Sequence, residues 1–362
     1  MSAKRFGLIA KLAMVVLVTA SPEVSYATTI FEGLGFLPGD TYSYPTAVNA
    51  HGSVVVGTSS SSVSGQAFRW TKAGGMVGLG YLPGNSQSFS AAVNANGLVV
   101  VGNSGVPPQA IRWTDASGLT GLGYLSGNNS SAAVGVSADG SVVVGNSYTS
   151  GNCCNHQAFR WTAAGGMVGL GSVSGYPVSY AAGVNGHGSV VVGVSSVASL
   201  SQNQAFRWTA AGGMVELGYL RGGNNSFANA VNADGSVVVG GSTTANNVHN
   251  YEAFRWTAAG GMVGLGYLSG DNFSDPNAVN ANGSVVVGCS GLNGNCDQAF
   301  LWTAADGMKS VQALLTAKGV STTGWTLTSA QGVSADGQVI VGSGVDPNGR
   351  TQGWIARLEG RN

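Results

Sequence analysis

Residues 230–240 read Ala-Val-Asn-Ala-Asp-Gly-Ser-Val-Val-Val-Gly, and residues 252–268 read Glu-Ala-Phe-Arg-Trp-Thr-Ala-Ala-Gly-Gly-Met-Val-Gly-Leu-Gly-Tyr-Leu. The same two phrases return in the same order along most of the 362-residue chain. Their turn glycines are Gly52, Gly97, Gly140, Gly188, Gly235, Gly283 and Gly337, spaced 45, 43, 48, 47, 48 and 54 residues apart. A fixed period in the forties with strand-like composition is the signature of a four-stranded propeller blade. Repeats built from helices would need apolar residues at 3.6-residue spacing along the unit, and the repeat has no such run.

Each unit divides into four strands. The first, such as Ala92-Val93-Asn94, ends in a tight turn whose glycine supplies the positive φ that the turn needs. The second, such as Val142-Val143-Val144, is apolar on both faces, as a strand sandwiched between two sheets should be. The third alternates, so that Phe68 and Trp70 share one face and Ala67 and Arg69 the other. The fourth is Met-Val-Gly-Leu-Gly, entered through a Gly-Gly turn. The Phe/Trp pair recurs at Phe159/Trp161, Phe206/Trp208, Phe254/Trp256 and Phe300/Trp302, with Ile111/Trp113 as a variant. An aromatic pair in every unit is expected to pack blade on blade, with Trp161, Trp208 and Trp256 buried there. The arginines of the same strands, Arg69, Arg112, Arg160, Arg207 and Arg255, read as structural hydrogen-bond donors or outer-face residues, and Leu301 interrupts the set.

The chain ends carry the closure. Residues 30–35 form a fourth strand with none before it, and residues 352–357 a third strand with none after it. Joined, they complete one blade and hide both sheet edges. An open solenoid would instead need capping units. The expectation is an all-β, seven-bladed β-propeller over residues 28–362, preceded by a signal peptide at 1–27. That leader has Lys4, Arg5 and Lys11 as a basic region, Leu12–Ala20 as a short apolar core, and small residues before the cleavage point at Ala27. No other stretch has the length and polarity of a membrane span, and the mature chain is expected to be a secreted monomer, in the medium, at the cell surface or in the periplasm.

In phase, the sequences Ser-Ala-Asp-Gly-Ser-Val-Val-Val-Gly at 137–145, Gln-Ala-Phe-Arg-Trp at 157–161 and Gly-Gly-Met-Val-Gly-Leu-Gly at 165–171 resemble the HAF-repeat extracellular proteins of bacteria. The resemblance covers about residues 31–357. This chain carries Gln where the family name places His, and Glu252 in the fifth unit. The resemblance implies an exported repeat protein and supplies no catalytic residues. The chain shows no C-terminal barrel, so self-anchoring in an outer membrane is not expected.

Charged residues are only 8% of the chain, and 15 Lys+Arg balance 15 Asp+Glu, which leaves no field to attract nucleic acid. Recognition is expected on the face that carries the second-to-third-strand loops and the crossovers between blades, because these vary while the other connections do not. That face is rich in Asn, Ser and aromatics, among them Tyr42, Tyr44, Phe89, Tyr176, Tyr180 and Phe227, a surface suited to neutral polyhydroxylated ligands such as glycans. Tyr81, Tyr219 and Tyr267 follow the Gly-Leu-Gly phrase and are expected to pack between blades. Glu252, Asp271, Asp275 and Asp297 gather in loops of the fifth and sixth units. Such acids read as solvated loop charge, as a weak Ca²⁺ or cation site, or as the acid/base pair of a carbohydrate-active hydrolase or lyase. Asp139, Asp234 and Asp336 are turn formers.

No Ser-His-Asp arrangement is legible. His51 and His187 occupy turn positions that other units fill with Asn or Asp, and only His156 and His249 lie in variable loops. The repeated Gly-Leu-Gly precedes no helix, so it is no nucleotide fingerprint. No cofactor, catalytic residue or resident metal is expected, and the leading reading is a non-enzymatic binding or surface-interaction module, with a structural surface element as a further alternative. Cys289 and Cys296 bracket one loop and suit a hairpin disulfide in an exported protein. Cys153 and Cys154 lie too far round the ring to pair with them.

Overall fold

A computed structural model describes residues 29–358 apart from 63, 152–154, 198, 200–201 and 246. The signal segment and Cys153 and Cys154 lie outside the described residues. Seven four-stranded antiparallel sheets are arranged as a seven-bladed β-propeller. Blade 4 is representative, with strands Val178–Val184, Val190–Ser196, Asn203–Thr209 and Gly213–Glu216 in order from the axis outward. Blade 7 takes its inner three strands from Thr326–Val333, Val339–Val345 and Thr351–Arg357, and its outer strand from Ile30–Gly33 at the other end of the chain. The closing register runs from Ile30 opposite Arg357 to Gly33 opposite Trp354. Leu34 N–H continues it to the Gly353 carbonyl at 2.8 Å, and Gly353 N–H reaches the Ser43 hydroxyl of blade 1 at 2.9 Å. An ion pair between Glu32 and Lys72 spans the same seam. Closure of the ring by the two chain ends is therefore as the strand count required.

The core lies between blades. The β-branched run of each second strand, Val-Val-Val in six blades and Val-Ile-Val in blade 7, is buried on both faces; Val191 and Val192 are fully enclosed. The glycine that ends this run leaves space for the phenylalanine of the third strand. A Cβ on Gly193 would strike the Tyr180 carbonyl and press against the Phe206 ring. Phe68, Phe159, Phe206, Phe254 and Phe300 are fully buried, and Trp354 takes this position in blade 7. The tryptophans two residues on behave differently from expectation. Trp70 is buried, but Trp113, Trp161, Trp208, Trp256 and Trp302 are half-buried. The third strand runs toward the short-turn face, so phenylalanine sits at mid-depth and tryptophan at the rim. The fourth strand is also shorter than expected, four residues such as Gly213–Glu216, and the Leu-Gly that follows belongs to the crossover.

Polar contacts tie each blade to its neighbour at three heights. Near the loop face, a fully buried serine of the first strand in blades 1 to 6 reaches back one blade. Ser226 accepts from Ala205 N–H (3.0 Å) and donates to the Gly218 carbonyl (2.7 Å), and Ser88, Ser131, Ser179 and Ser274 repeat both bonds. An unpartnered hydroxyl there would cost about 1–3 kcal/mol, so the motif needs a hydroxyl with both partners in place. Near the turn face, Arg69, Arg160, Arg207 and Arg255 donate Nε to the turn-glycine carbonyl of the following blade at 3.1–3.2 Å, and Arg112 reaches its own at 3.5 Å. The structural reading of these arginines holds. At the turn itself, Asn185 Oδ1 accepts from Val190 N–H (2.9 Å) while its Nδ2 donates to the Ala233 carbonyl of the next blade (3.3 Å). Gly235, with φ +81°, could not carry a side chain, because a Cβ would lie 2.6 Å from Val190 of the preceding blade.

One element was not anticipated. The 54-residue spacing before Gly337 accommodates a short helix, Val311–Ala317, capped by the Ser310 side chain. Val311 and Leu315 bury themselves against Leu301, which stands where five other blades have arginine. The i, i+3, i+4 pattern of Val311, Leu314 and Leu315 was present in the sequence, but only over one turn.

Removing a mid-depth ring should be far more damaging than removing a rim ring. Phe206→Ala is expected to lose about 3–5 kcal/mol of stability, and Trp208→Ala distinctly less. Urea unfolding of the two variants checks the order, and equal losses would mean that the rim tryptophans carry core weight.

Candidate functional site

The first strands surround a narrow axial channel of about 260 Å³. Every first strand bulges at the same point, and the extra residue lines the channel: Thr46, Ala91, Val134, Ala182, Asn229, Asn277 and Gln331. A bulge twists the strand and re-aims side chains next to it. Two residues earlier, toward the loop face, lies the most variable position of the strand. It holds Tyr44, Phe89, Ala132, Tyr180, Phe227, Asp275 and Ser329, each opposite the residue after the second-strand glycine. The serine before it is nearly invariant. The fold thus fixes one residue and frees its neighbour, and the freed positions form a rim around the channel mouth.

Four of these seven are aromatic, and loops add more. Tyr42 and Tyr44 are 43% and 44% exposed, and Phe89 is 37% exposed, so three rings of blades 1 and 2 lie open to solvent. Tyr180 belongs to a stack across blades 3 and 4, in which His156 lies 4.3 Å from the Tyr148 ring and 4.8 Å from Tyr180. Burial lowers the His156 pKa, so its imidazole stays neutral at physiological pH. Phe227 meets Tyr251 edge-to-face at 4.8 Å. Tyr176 is tied by its hydroxyl to that of Tyr219 at 3.4 Å, an arrangement that raises the Tyr219 pKa, chiefly through burial. Tyr267 donates to Glu252 (3.5 Å), whereas Tyr81 is 37% exposed beside the groove at Leu37 and Gln66.

The four acids go to different places. Glu252 fills the position that other blades give to glutamine, and its carboxylate accepts from Gly266 N–H at 3.1 Å. With Arg221, Thr244 and Ala245 it lines an open groove. Asp271 sits in the crossover turn, half-buried, where its N–H closes onto the Leu268 carbonyl. Asp297 is exposed in the loop that a disulfide joins between Cys289 and Cys296, Cα atoms 5.2 Å apart. Only Asp275 faces the rim. Its Oδ1 accepts from Asn229 Nδ2 at 2.8 Å, and the same amide donates to the Pro276 carbonyl at 2.9 Å. Burial pushes the Asp275 carboxyl up to about 7, against the opposing pull of the Asn229 hydrogen bond. Among the described residues, no group of three His, Cys, Asp or Glu side chains is placed to hold a metal ion. Asp139, Asp234 and Asp336 serve their own turns, as Ser137 and Ser141 donating to Asp139 illustrate.

The sequence pointed to the loop face and to most of these aromatics. It did not reveal the Tyr148–His156–Tyr180 stack or the amides of Asn229 and Asn277, because the bulge that turns them inward depends on register. The only available signal was the column itself, one variable position beside a serine that six of the seven blades share.

No protein-family model matches the chain, and no curated protein is detectably similar in sequence. Solved structures do share its fold. An oligogalacturonate lyase in complex with manganese superposes with a TM-score of 0.58 at 11% identity, over 91% of this chain and 96% of that one. An oligogalacturonate lyase from Vibrio parahaemolyticus gives 0.58 at 8% identity, over 91% and 97%. TolB from Acinetobacter baumannii gives 0.48 at 12% identity; 86% of this chain aligns, and it spans 65% of TolB. At these identities the likeness is one of fold.

Asp275 makes stability depend on pH. The folded protein holds this proton more tightly than the unfolded chain, so ionisation works against the fold. That contribution is fully present below the ordinary carboxyl value of 3.8 and is lost as pH rises through about 7. Asp275→Asn, which keeps an oxygen for Asn229, should flatten the melting temperature between about pH 4 and 7 and melt above the parent at pH 8. A variant that keeps the parental pH profile would show that the carboxyl is ordinary.

Proposed function

We propose that the protein is an exported, non-enzymatic binding module of the HAF-repeat kind, and that its loop face recognises a neutral, polyhydroxylated ligand such as a glycan at a cell surface or in the surrounding medium. The observation that carries this reading is the rim of freed positions. Exposed rings at Tyr42, Tyr44 and Phe89 stand on the rigid first strands of blades 1 and 2, and the amides of Asn229 and Asn277 line the channel from blades 5 and 6. Flat apolar faces stack on sugar rings, while amide and hydroxyl groups at their edges fix orientation. The low charge of the chain suits an uncharged ligand. Exposed aromatics on a propeller are also cheap to alter, because the fold does not depend on them. No helix among the described residues is long and apolar enough to cross a membrane.

One observation favours a second reading. Asp275 is a single rim carboxyl that titrates near neutrality, as a general acid or base must. Glu252 lines an open groove, Asp271 sits in a crossover turn and Asp297 in an exposed loop, whereas Asp275 stands on a first strand, and this dispersal supports binding over a paired-carboxylate mechanism. The oligogalacturonate lyases of the same fold name a substrate class worth assaying, and their activity is otherwise their own.

A glycan array probed with the mature protein, followed by titration of the strongest hits, tests the proposal. Tyr44→Ala and Phe89→Ala should each weaken binding about tenfold, or ~1.4 kcal/mol, with melting temperatures near the parent's. Binding that survives the double variant would move the ligand off the rim. Turnover of oligogalacturonate or a neutral oligosaccharide that Asp275→Asn abolishes would establish the enzyme instead.

A further inference from the structure

The inter-blade grooves on the short-turn face repeat round the ring, and two positions lack the arginine of the others, Leu301 in blade 6 and Ile355 in blade 7. In blades 1 to 5 an arginine crosses the groove and its guanidinium ends on the turn-glycine carbonyl of the next blade, as Arg255 does at Gly283 (3.1 Å). In blade 6 this position is Leu301, which is fully buried, packs on Val311 and Leu315, and has no donor to offer Gly337. The space left is a groove of about 820 Å³ lined by Trp302, Asp306, Asp336 and Gly337, against about 490 Å³ for the corresponding groove of blade 5, which Arg255 crosses.

The lining has changed with the strut. The third-to-fourth-strand turns of blades 1, 3, 4 and 5 carry glycine where blade 6 carries Asp306, and the blade 5 groove ends on Asn282 where this one ends on Asp336. Asp306 Oδ2 takes the Thr303 hydroxyl at 3.1 Å, and Asp336 Oδ1 takes the Gln338 N–H at 3.0 Å, so each carboxylate keeps its second oxygen for another donor. Asp336 is held in its charged form below the ordinary carboxyl range: hydrogen bonds from Ser334 and Gln338, with the nearby Arg357 charge, outweigh the opposing effect of burial. Arg357 makes no ion pair with Asp336 among the described residues, and Arg255 at the blade 5 side is engaged by Gly283. The half-buried Trp302 ring forms a wall of the groove.

We propose that this groove is a receptor for a guanidinium group, namely an arginine side chain presented by a partner polypeptide. The molecule itself supplies the template, because the same carbonyl is reached by a guanidinium in five other blades. The incoming group would find that carbonyl, two carboxylates that match the guanidinium fork, and an aromatic face for its planar cation. This site is on the opposite face from the rim and does not rest on the glycan reading.

N-acetyl-arginine amide is the probe, titrated into the full chain by NMR or calorimetry beside N-acetyl-lysine amide and the neutral N-acetyl-citrulline amide. A single side chain of this kind should bind in about the millimolar range, with the arginine compound preferred over lysine and citrulline weaker about tenfold. Asp306→Gly, on an exposed turn and matching the other blades, should weaken arginine binding several-fold while leaving the melting temperature and any glycan binding unchanged. Leu301→Arg restores the missing strut and should abolish it. Since Leu301 also supports the helix, the Asp306 variant stands as evidence even if Leu301→Arg does not fold. No binding by the parent, equal binding of citrulline, or binding indifferent to Asp306→Gly would overturn the proposal.

Discussion

In six of the seven blades, 2 to 7, the short turn between first and second strands passes a peptide hydrogen bond to the next turn. The N–H groups of Ala95, Ala138, Gly186, Ala233, Ala281 and Ala335 donate to the carbonyls of Ala138, Gly186, Ala233, Ala281, Ala335 and Ala50 at 2.9–3.3 Å. This belt runs round the axis, at right angles to the radial sheets, and its last member crosses the seam between blades 7 and 1. It requires every turn to have the same geometry, which explains the uniform glycine with positive φ and the Asn or Ser that braces it. A different conformation at any turn of blades 3 to 7 would break two links, since each of these turns both gives and receives. The opposite face has no such belt, and its loops vary freely. The separation of a constant face from a variable one follows from which connections belong to the ring.

Much of this was readable in the sequence, for a specific reason. Repetition separates roles that a single copy would confound. A buried valine, a turn glycine and a bracing asparagine or serine that recur seven times must be structural, and their period gives the blade count. The split of residues 30–33 and 351–357 between the chain ends gave the closure, because an orphan fourth strand has only one sheet to join. The Phe/Trp pair was read as one packing unit, and its members differ because alternation gives the facing side but not the depth along the strand. Phe206 lies opposite Gly193 in mid-blade, whereas Trp208 lies opposite Val191 at the rim.

The candidate site was less legible. Tyr180 and His156 are 24 positions apart and meet only because adjacent blades bring a first strand beside a third. The elevated carboxyl of Asp275 depends on the Asn229 amide of another blade, 46 residues away. Register shifts at the bulges set both contacts, and no local pattern announces a bulge whose extra residue is Thr in one blade and Gln in another. Departures from the repeat proved more informative than the repeat itself. Leu301 looked like a lapse in a series of arginines, and in three dimensions it coincides with a helix on one side and an open groove on the other.

The seam also decides how the molecule can be held. Ile30 pairs with Arg357 at the end of blade 7 that faces the short turns, so the chain enters and leaves the ring at neighbouring points on one side. A tether at either end, whether a linker, a lipid or a second domain, would bring the constant face toward its support. The variable loops would then point away from it, and the two attachments would present them identically. Orientation on a surface is thus built into the way the ring is stitched, without any contact between the protein and that surface.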